Sequence, residues 1–271
     1  MKTSILILIA LAGIAYSTLI ERKLLIKKYI NIKKNNIKLT EKVKIAHFTD
    51  VHLGPFYKLN DLKRLVKKIN SIDADIVVFT GDLVDSMKRY IDDGEADKIL
   101  ATIKAKIGKF AVYGNHDSYP GNRYTYAKIL KEAGFTLLRN ENTKIKINNK
   151  ILNLMGLDDF FQGKYDIEKT TIDIDKNDFN LLMLHEPDLA EKFIDYPIDL
   201  AIAGHSHGGQ IYIPLYGTIV NTGLAESHDR GLYKLGKNKN LPLYVNSGIG
   251  STGLPVRFCC IPNITIIEIE F

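Results

Sequence analysis

Apolar positions along the chain follow two regimes. From Thr3 to Ile20 no charged residue occurs, and Ile5, Leu6, Ile7, Leu8, Ile9 and Leu11 form a dense run. Beyond about Lys42, short apolar runs alternate with amphipathic segments. Val43 to Thr49 and Asp75 to Thr80 have the length and β-branched content of buried strands, and between them Leu59, Leu62, Leu65, Val66 and Ile69 recur at helical spacing. A helix near Glu95 to Ala105, a strand at Lys109 to Tyr113 and a helix near Tyr124 to Ala133 continue this β/α layering. The second half is strand-rich, at Ile151 to Leu157, Phe179 to Leu184, Asp199 to Ala203, Leu241 to Asn246 and Ile264 to Ile269, with Gly, Pro, Asn and Asp turns between. Many strands with few intervening helices predict a second sheet packed on the first, helices outside.

Charge divides the chain at the same place. Of the net +6 over 271 residues, residues 1 to 38 hold +7, with eight Lys/Arg against one Glu; the remainder is −1. A nearly neutral globular part excludes a generally basic, nucleic-acid-binding domain. The eighteen uncharged residues from Thr3 to Ile20 approach the ~20 needed to span a bilayer. They predict a transmembrane anchor over residues 1–20, ahead of a cleaved signal peptide, because apolar residues continue through Leu19 and Ile20 with no small-x-small site before the polar segment. Arg22, Lys23, Lys27, Lys28, Lys33, Lys34 and Lys38 then read as a basic juxtamembrane linker over residues 21–42. Such flanks predict a single-pass membrane protein with its globular domain, residues 43–271, on the cytoplasmic side, and membrane lipid as a partner. The only cysteines, Cys259 and Cys260, are adjacent, a spacing that disfavours a disulfide.

The chemistry gathers at the predicted strand ends. Asp50 and His52 follow the first strand, Gly81 and Asp82 the second, and Gly114, Asn115, His116 and Asp117 the third; His185 and the run Gly204, His205, Ser206, His207 end two later ones. Loops at strand carboxyl ends are where β/α proteins bind ligands. Carboxylates mixed with imidazoles suit Mn, Fe or Zn. His47 lies inside a strand and reads as core, and His228 as a surface residue.

These residues resemble the calcineurin-like metallophosphoesterase superfamily. The match runs through Asp50-x-His52, Gly81-Asp82, Gly114 to Asp117, His185 and Gly204-His205-x-His207. The longer stretches Gly204 to Gln210 and Gly250 to Phe258 resemble its membrane-anchored bacterial branch, from which Cys259-Cys260-Ile261 departs. The resemblance implies an α/β fold, a four-layer αββα sandwich, and two divalent metal ions. Asp50, His52 and His207 would hold one, Asn115, His185 and His205 the other, with Asp82 between them and a bridging hydroxide attacking phosphorus. It also implies that His116 stabilises the developing charge or protonates the leaving oxygen and that Asp85 orients it, with Asp117 the second choice. Where the protein Ser/Thr phosphatases carry arginine after that acid, this chain has Ser86, which points away from phosphoprotein. Arg257 is a candidate phosphate contact. The expected activity is hydrolysis of a phosphodiester or pyrophosphate, first of a lipid-linked nucleotide such as UDP-2,3-diacylglucosamine, which tethering would favour. The alternatives are a phosphodiesterase or phosphatase on a soluble nucleotide, and a non-catalytic metal-dependent scaffold.

Overall fold

The computed structural model describes residues 2–34, 40–86, 95–237 and 241–271; Lys38 of the basic run lies outside them. In chain order the elements are helix α1 (Lys2–Ala15), strands β1 (Ile26–Lys33) and β2 (Lys42–Phe48), helix α2 (Leu59–Asn70), β3 (Ile76–Phe79), α3 (Ala96–Ala101), β4 (Gly108–Ala111), α4 (Asn122–Glu132), β5 (Thr136–Leu137), β6 (Glu141–Ile147), β7 (Lys150–Gly156) and the single turn α5 (Ile167–Thr170). There follow β8 (Phe179–Met183), β9 (Leu200–Ala203), the small hairpin β10 (Tyr212–Ile213) and β11 (Gly217–Thr218), β12 (Gly231–Leu235), β13 (Leu241–Val245) and β14 (Asn263–Glu270).

Two six-stranded mixed sheets result, ordered β1-β14-β2-β3-β4-β5 and β12-β13-β9-β8-β7-β6. The strands that feed the site, β2, β3 and β4 in the first sheet and β8 and β9 in the second, run parallel to their neighbours in that group, so their carboxyl ends share an edge. Between the sheets lies a dry layer including Ile45, Val78, Leu154, Leu181, Ile202 and Ile267. On the outer face of the first sheet, α2, α3 and α4 bury Leu62, Leu65, Ile99 and Ile129 against Phe48, Val77 and Phe79. Helix α2 shows why: its buried Leu62, Leu65, Val66 and Ile69 lie on one face, with lysines on the other. The outer face of the second sheet carries a thinner cover, chiefly a 3-10 segment at Pro187–Phe193 that buries Leu189, Ala190 and Phe193.

The expected transmembrane helix is not formed. Helix α1 has 14 residues, roughly 21 Å at 1.5 Å per residue against about 30 Å of hydrocarbon. Among the described residues no helix is long and apolar enough to cross a membrane. The apolar run stops being α-helical because its last part docks on the domain: a π turn spans Tyr16–Ile20 and a 3-10 turn Glu21–Lys23, with Ser17 and Glu21 buried. The Ser17 carbonyl accepts the Arg257 N–H at 3.1 Å, and the Glu21 carboxylate accepts the Cys260 N–H at 2.5 Å. The single-pass anchor, the membrane-anchored branch, the membrane localisation with its cytoplasmic orientation, and the lipid partner all depended on that span, and are corrected with it.

The basic stretch beyond it is also more than a linker. Strand β1 pairs along the whole of β14, Ile30 opposite Ile267 and Ile32 opposite Ile269, which carries Ile30 and Ile32 onto the inter-sheet core. Lys34 is buried and donates to both carboxylate oxygens of Asp199 at 2.8 and 2.7 Å, tying the segment after β1 to the start of β9.

Candidate metal centre

Five strand-to-loop turns converge at the shared sheet edge. Five of the polar side chains are delivered from an unusual backbone conformation: Asp50, His52, Asp82, His205 and His207 all have positive φ, between 48° and 68°. Such backbone costs an L-residue about 1–3 kcal/mol each and persists only where its surroundings fix it. Here the surroundings are interlocked. Val51 and His52 N–H groups donate to the Asp82 carbonyl at 2.8 and 3.2 Å, and Gly250 N–H donates to the Asp50 carbonyl at 2.7 Å. The carboxylate of Asp117 takes the N–H groups of Asp82, Leu83 and Gly114 at 2.6, 3.0 and 3.0 Å. Two glycines are required by close approach: a Cβ at Gly114 would overlap the Asp82 carboxylate, and one at Gly204 the Thr49 hydroxyl and Asp50 carboxylate.

Three groups of ligand atoms come within 4.8 Å of one another: Asp50 with His52 and His207, Asp82 with His185 and His205, and His52 with Asp82 and His116. Asp82 joins them, its Oδ2 lying 3.4 Å from His52 Nε2 and 3.3 Å from His185 Nε2. Asn115 Oδ1 is 3.0 Å from His185 Nε2. The far ring nitrogens are also placed. His185 Nδ1 faces the Thr80 carbonyl at 2.7 Å and His205 Nε2 the Gly223 carbonyl at 2.8 Å, which directs His185 Nε2 and His205 Nδ1 at the site. Burial keeps His205 and His207 neutral, the former lowered to about 4 and the latter held well below its usual value, helped by His52 and Arg257.

This arrangement fits two divalent cations. Both nitrogens of buried His52 lack a hydrogen-bond partner. Burial and the nearby Asp82 charge push the Asp50 carboxyl up, whereas Asp82 is held well below the usual range, its burial outweighed by His185, His116 and His52. Two buried carboxylates among converging imidazoles are the donor set that a cation pair completes. The chain thus carries a dinuclear site for divalent metals.

The structure redistributes the supporting roles. His116 Nδ1 donates to the backbone carbonyl of Asp85 at 2.6 Å, and not to its carboxylate. That carboxylate lies 3.7 Å from His52 Nδ1 instead and accepts from Thr252 Oγ1 at 3.4 Å. Asp117, the second choice as partner of His116, braces the two glycine turns. Arg257 is fully buried, and its guanidinium donates to the carbonyls of Gly250, Ser247 and Cys260, beneath the His207 turn. His47 is in the core as read, hydrogen-bonded to Thr80 Oγ1 at 2.9 Å and driven by burial down to about 3. His228 is buried as well, 2.8 Å from Asp188 Oδ1, and is not the surface residue expected.

Sequence reasoning missed the groups that aim the ligands, because the carbonyls of Thr80, Gly223 and Asp85 have no side-chain signature. It also passed over a pocket of about 280 Å³ beside Asn115 and His205, walled by Tyr119, Phe161, Gln162 and Thr222. Its one legible signal was the aromatic pair Phe160 and Phe161, set between two aspartates and a glycine.

Fold and site together define a metal-dependent phosphoesterase. The sequence profile of the calcineurin-like phosphoesterases matches residues 43–209, and the chain belongs to that family. It is 36% identical to an uncharacterized metallophosphoesterase, YkuE, of Bacillus subtilis over 84% of this chain and 79% of that protein. It is 32% identical to an uncharacterized metallophosphoesterase of Aquifex aeolicus over 94% and 95%. A third relative, 29% identical over 83% of each chain, is named a UDP-2,3-diacylglucosamine pyrophosphatase, of Chlamydia trachomatis.

Proposed function

We infer that the chain hydrolyses phosphodiester or pyrophosphate bonds of a soluble nucleotide. The observation that carries this reading is the placement of Asp82 between two histidine groups, with His116 alongside. Asp50, His52, His207 and Asp82 would hold one cation, and Asp82, Asn115, His185 and His205 the other. When bound, such a pair activates water and offsets the charge on the phosphate oxygens.

The remaining work belongs to the protein. His116 is fixed through Nδ1 on the Asp85 carbonyl, so its Nε2 is the atom available to hand a proton to the departing oxygen. Its backbone N–H, 2.9 Å from Asp82 Oδ1, orients the central carboxylate. Asp85 faces His52, its carboxylate 3.7 Å from the ring's Nδ1. Arg257 holds the backbone under His207 and Gly250. With Ser86 after Asp85 and Arg257 directed at carbonyls, neither position offers a guanidinium to a phosphomonoester dianion, which favours a singly charged diester or anhydride. The diacylated sugar named for the Chlamydia relative is not carried over, since its appeal rested on the anchor that is not formed.

Hydrolysis assays with added Mn²⁺ test the reading. Cleavage of bis(p-nitrophenyl) phosphate and of dinucleoside pyrophosphates, outpacing that of p-nitrophenyl phosphate, supports it. A preference for the monoester reverses the substrate class, and metal-loaded protein inert on the whole panel favours the scaffold alternative.

A further inference from the structure

The pocket next to Asn115 and His205 is built in a way that the two cations do not explain. Two of its walls are large rings left in water: Tyr119 is 50% and Phe161 46% exposed. Phe161 is not held out by a loose loop. The Asp159 carboxylate accepts the N–H groups of Phe161, Gln162 and Gly163 at 3.2, 2.7 and 2.9 Å. Asp158 Oδ2 accepts the Lys164 N–H at 3.1 Å and Arg139 Nε at 3.0 Å. Five protein donors therefore fix this short turn, and an exposed ring on a fixed turn is pre-organised for a partner.

The rings also face the chemistry. The Phe161 ring centroid lies 5.8 Å from that of His205, and Tyr119 lies 6.2 Å from His116. Gly223, whose carbonyl aims His205, sits across from Phe161; a Cβ there would reach 3.8 Å from the ring tip, so its absence keeps the space open.

We propose that this pocket receives the planar base of the nucleotide, stacked on Phe161 with Tyr119 as the second wall, while the phosphate lies at the metal centre. This rests on the nucleotide reading above and deepens it. A phosphate near Asn115 and His205 directs whatever it carries into the space that these two residues share with Phe161. At about 280 Å³, the pocket is just below the roughly 300–1,000 Å³ of small-molecule sites and suits one ring system. Gln162 and Thr222 set hydrogen-bonding groups at its edge. Because every base presents an aromatic face, Phe161 separates base-bearing from aliphatic phosphates more than it separates one base from another.

A matched pair of probes isolates the base. Calorimetric titration of the full-length, Mn²⁺-loaded protein with AMP and with ribose 5-phosphate should show AMP binding at least about tenfold more tightly, the scale of one base–aromatic stack. In Phe161→Ala that advantage collapses to within about twofold while ribose 5-phosphate affinity stays unchanged, which also shows that the His205 side is intact; Phe161→Tyr retains it, and Tyr119→Ala loses part. Equal affinities for the two probes in the wild-type protein overturn the proposal, as does an AMP advantage that survives Phe161→Ala. Both readouts are independent of turnover. A protein that cleaves phosphodiesters but shows no AMP advantage leaves the enzyme reading standing and removes this one. A protein that binds AMP through Phe161 yet hydrolyses nothing does the reverse.

Discussion

The two halves of the metal centre are made of similar residues and are embedded differently. Asp50, His52 and His207 are all buried, and behind them lies the fully buried Arg257 with its guanidinium on backbone carbonyls. His185 and His205 are buried too, but Asn115 is only half-buried, and with His205 it lines the open pocket that Tyr119 and Phe161 wall. One half is therefore a closed structural socket and the other borders the space a substrate can enter. The difference shows how a fold can fix a cation pair while leaving one side free for recognition: rigidity comes from the strained, interlocked turns around Asp50 and His52, and selectivity from a braced aromatic loop on the opposite side.

Removing His116, which bridges neither half, tests whether it is a proton donor or a ligand. His116→Ala should lower kcat about 10²- to 10⁴-fold and leave two Mn²⁺ per chain. Loss of one ion would instead assign it to the group it forms with His52 and Asp82.

The closed half should fail as a structure. Arg257→Met leaves the carbonyls of Gly250, Ser247 and Cys260 without their donor, a loss of about 3 kcal/mol that lowers the melting temperature by roughly 6–12 °C. An unchanged melting temperature with weakened substrate binding would make Arg257 the phosphate contact first read from the sequence.

A smaller effect separates the two parts of Asp85. Asp85→Asn keeps the backbone carbonyl that holds His116 and weakens only the support of His52, so activity should fall about tenfold, with weaker metal binding. A loss matching His116→Ala would return the orienting role to the carboxylate.

A further effect is on pH-dependent stability behind the site. Burial keeps His47 neutral in the fold, lowering it from 6.5 to about 3. Between those values the unfolded chain binds a proton that the folded one refuses. The His47 contribution is therefore fully present above about pH 6.5 and is lost as pH falls toward 3, by at most about 1.4 kcal/mol per pH unit. In His47→Gln, denaturant unfolding between pH 4 and 6.5 should show a correspondingly flatter slope; an identical slope would mean that His47 titrates normally.

Legibility in the sequence followed the same division. Most strands and helices around the site could be placed to within a few residues, because β3 and β9 are continuous apolar runs, β2 and β8 are largely apolar, and α2 is sharply amphipathic. The grouped site residues were visible because Asp and His follow those strands directly. Strand β1 was hidden by its lysines, although the alternation of Ile30 and Ile32 carries a period-two signal. The amino-terminal segment was misread because eighteen uncharged residues look alike from sequence, whether they continue as one helix or, as here, break at Tyr16 to seat Ser17 and Glu21 on the domain. Arg257 and Asp85 could be located but not interpreted, since burial and the choice between carbonyl and carboxylate are set by the folded loops.

Asp82 holds the two halves together, so one substitution addresses the account most directly. Measured side by side for wild type and Asp82→Asn, Mn²⁺ stoichiometry and bis(p-nitrophenyl) phosphate hydrolysis should change together: two ions per chain and metal-dependent turnover in the first, at most one tightly held ion and a loss on the order of a thousandfold in the second. An Asp82→Asn protein that still binds two ions and turns over at the wild-type rate would contradict a centre built around this carboxylate.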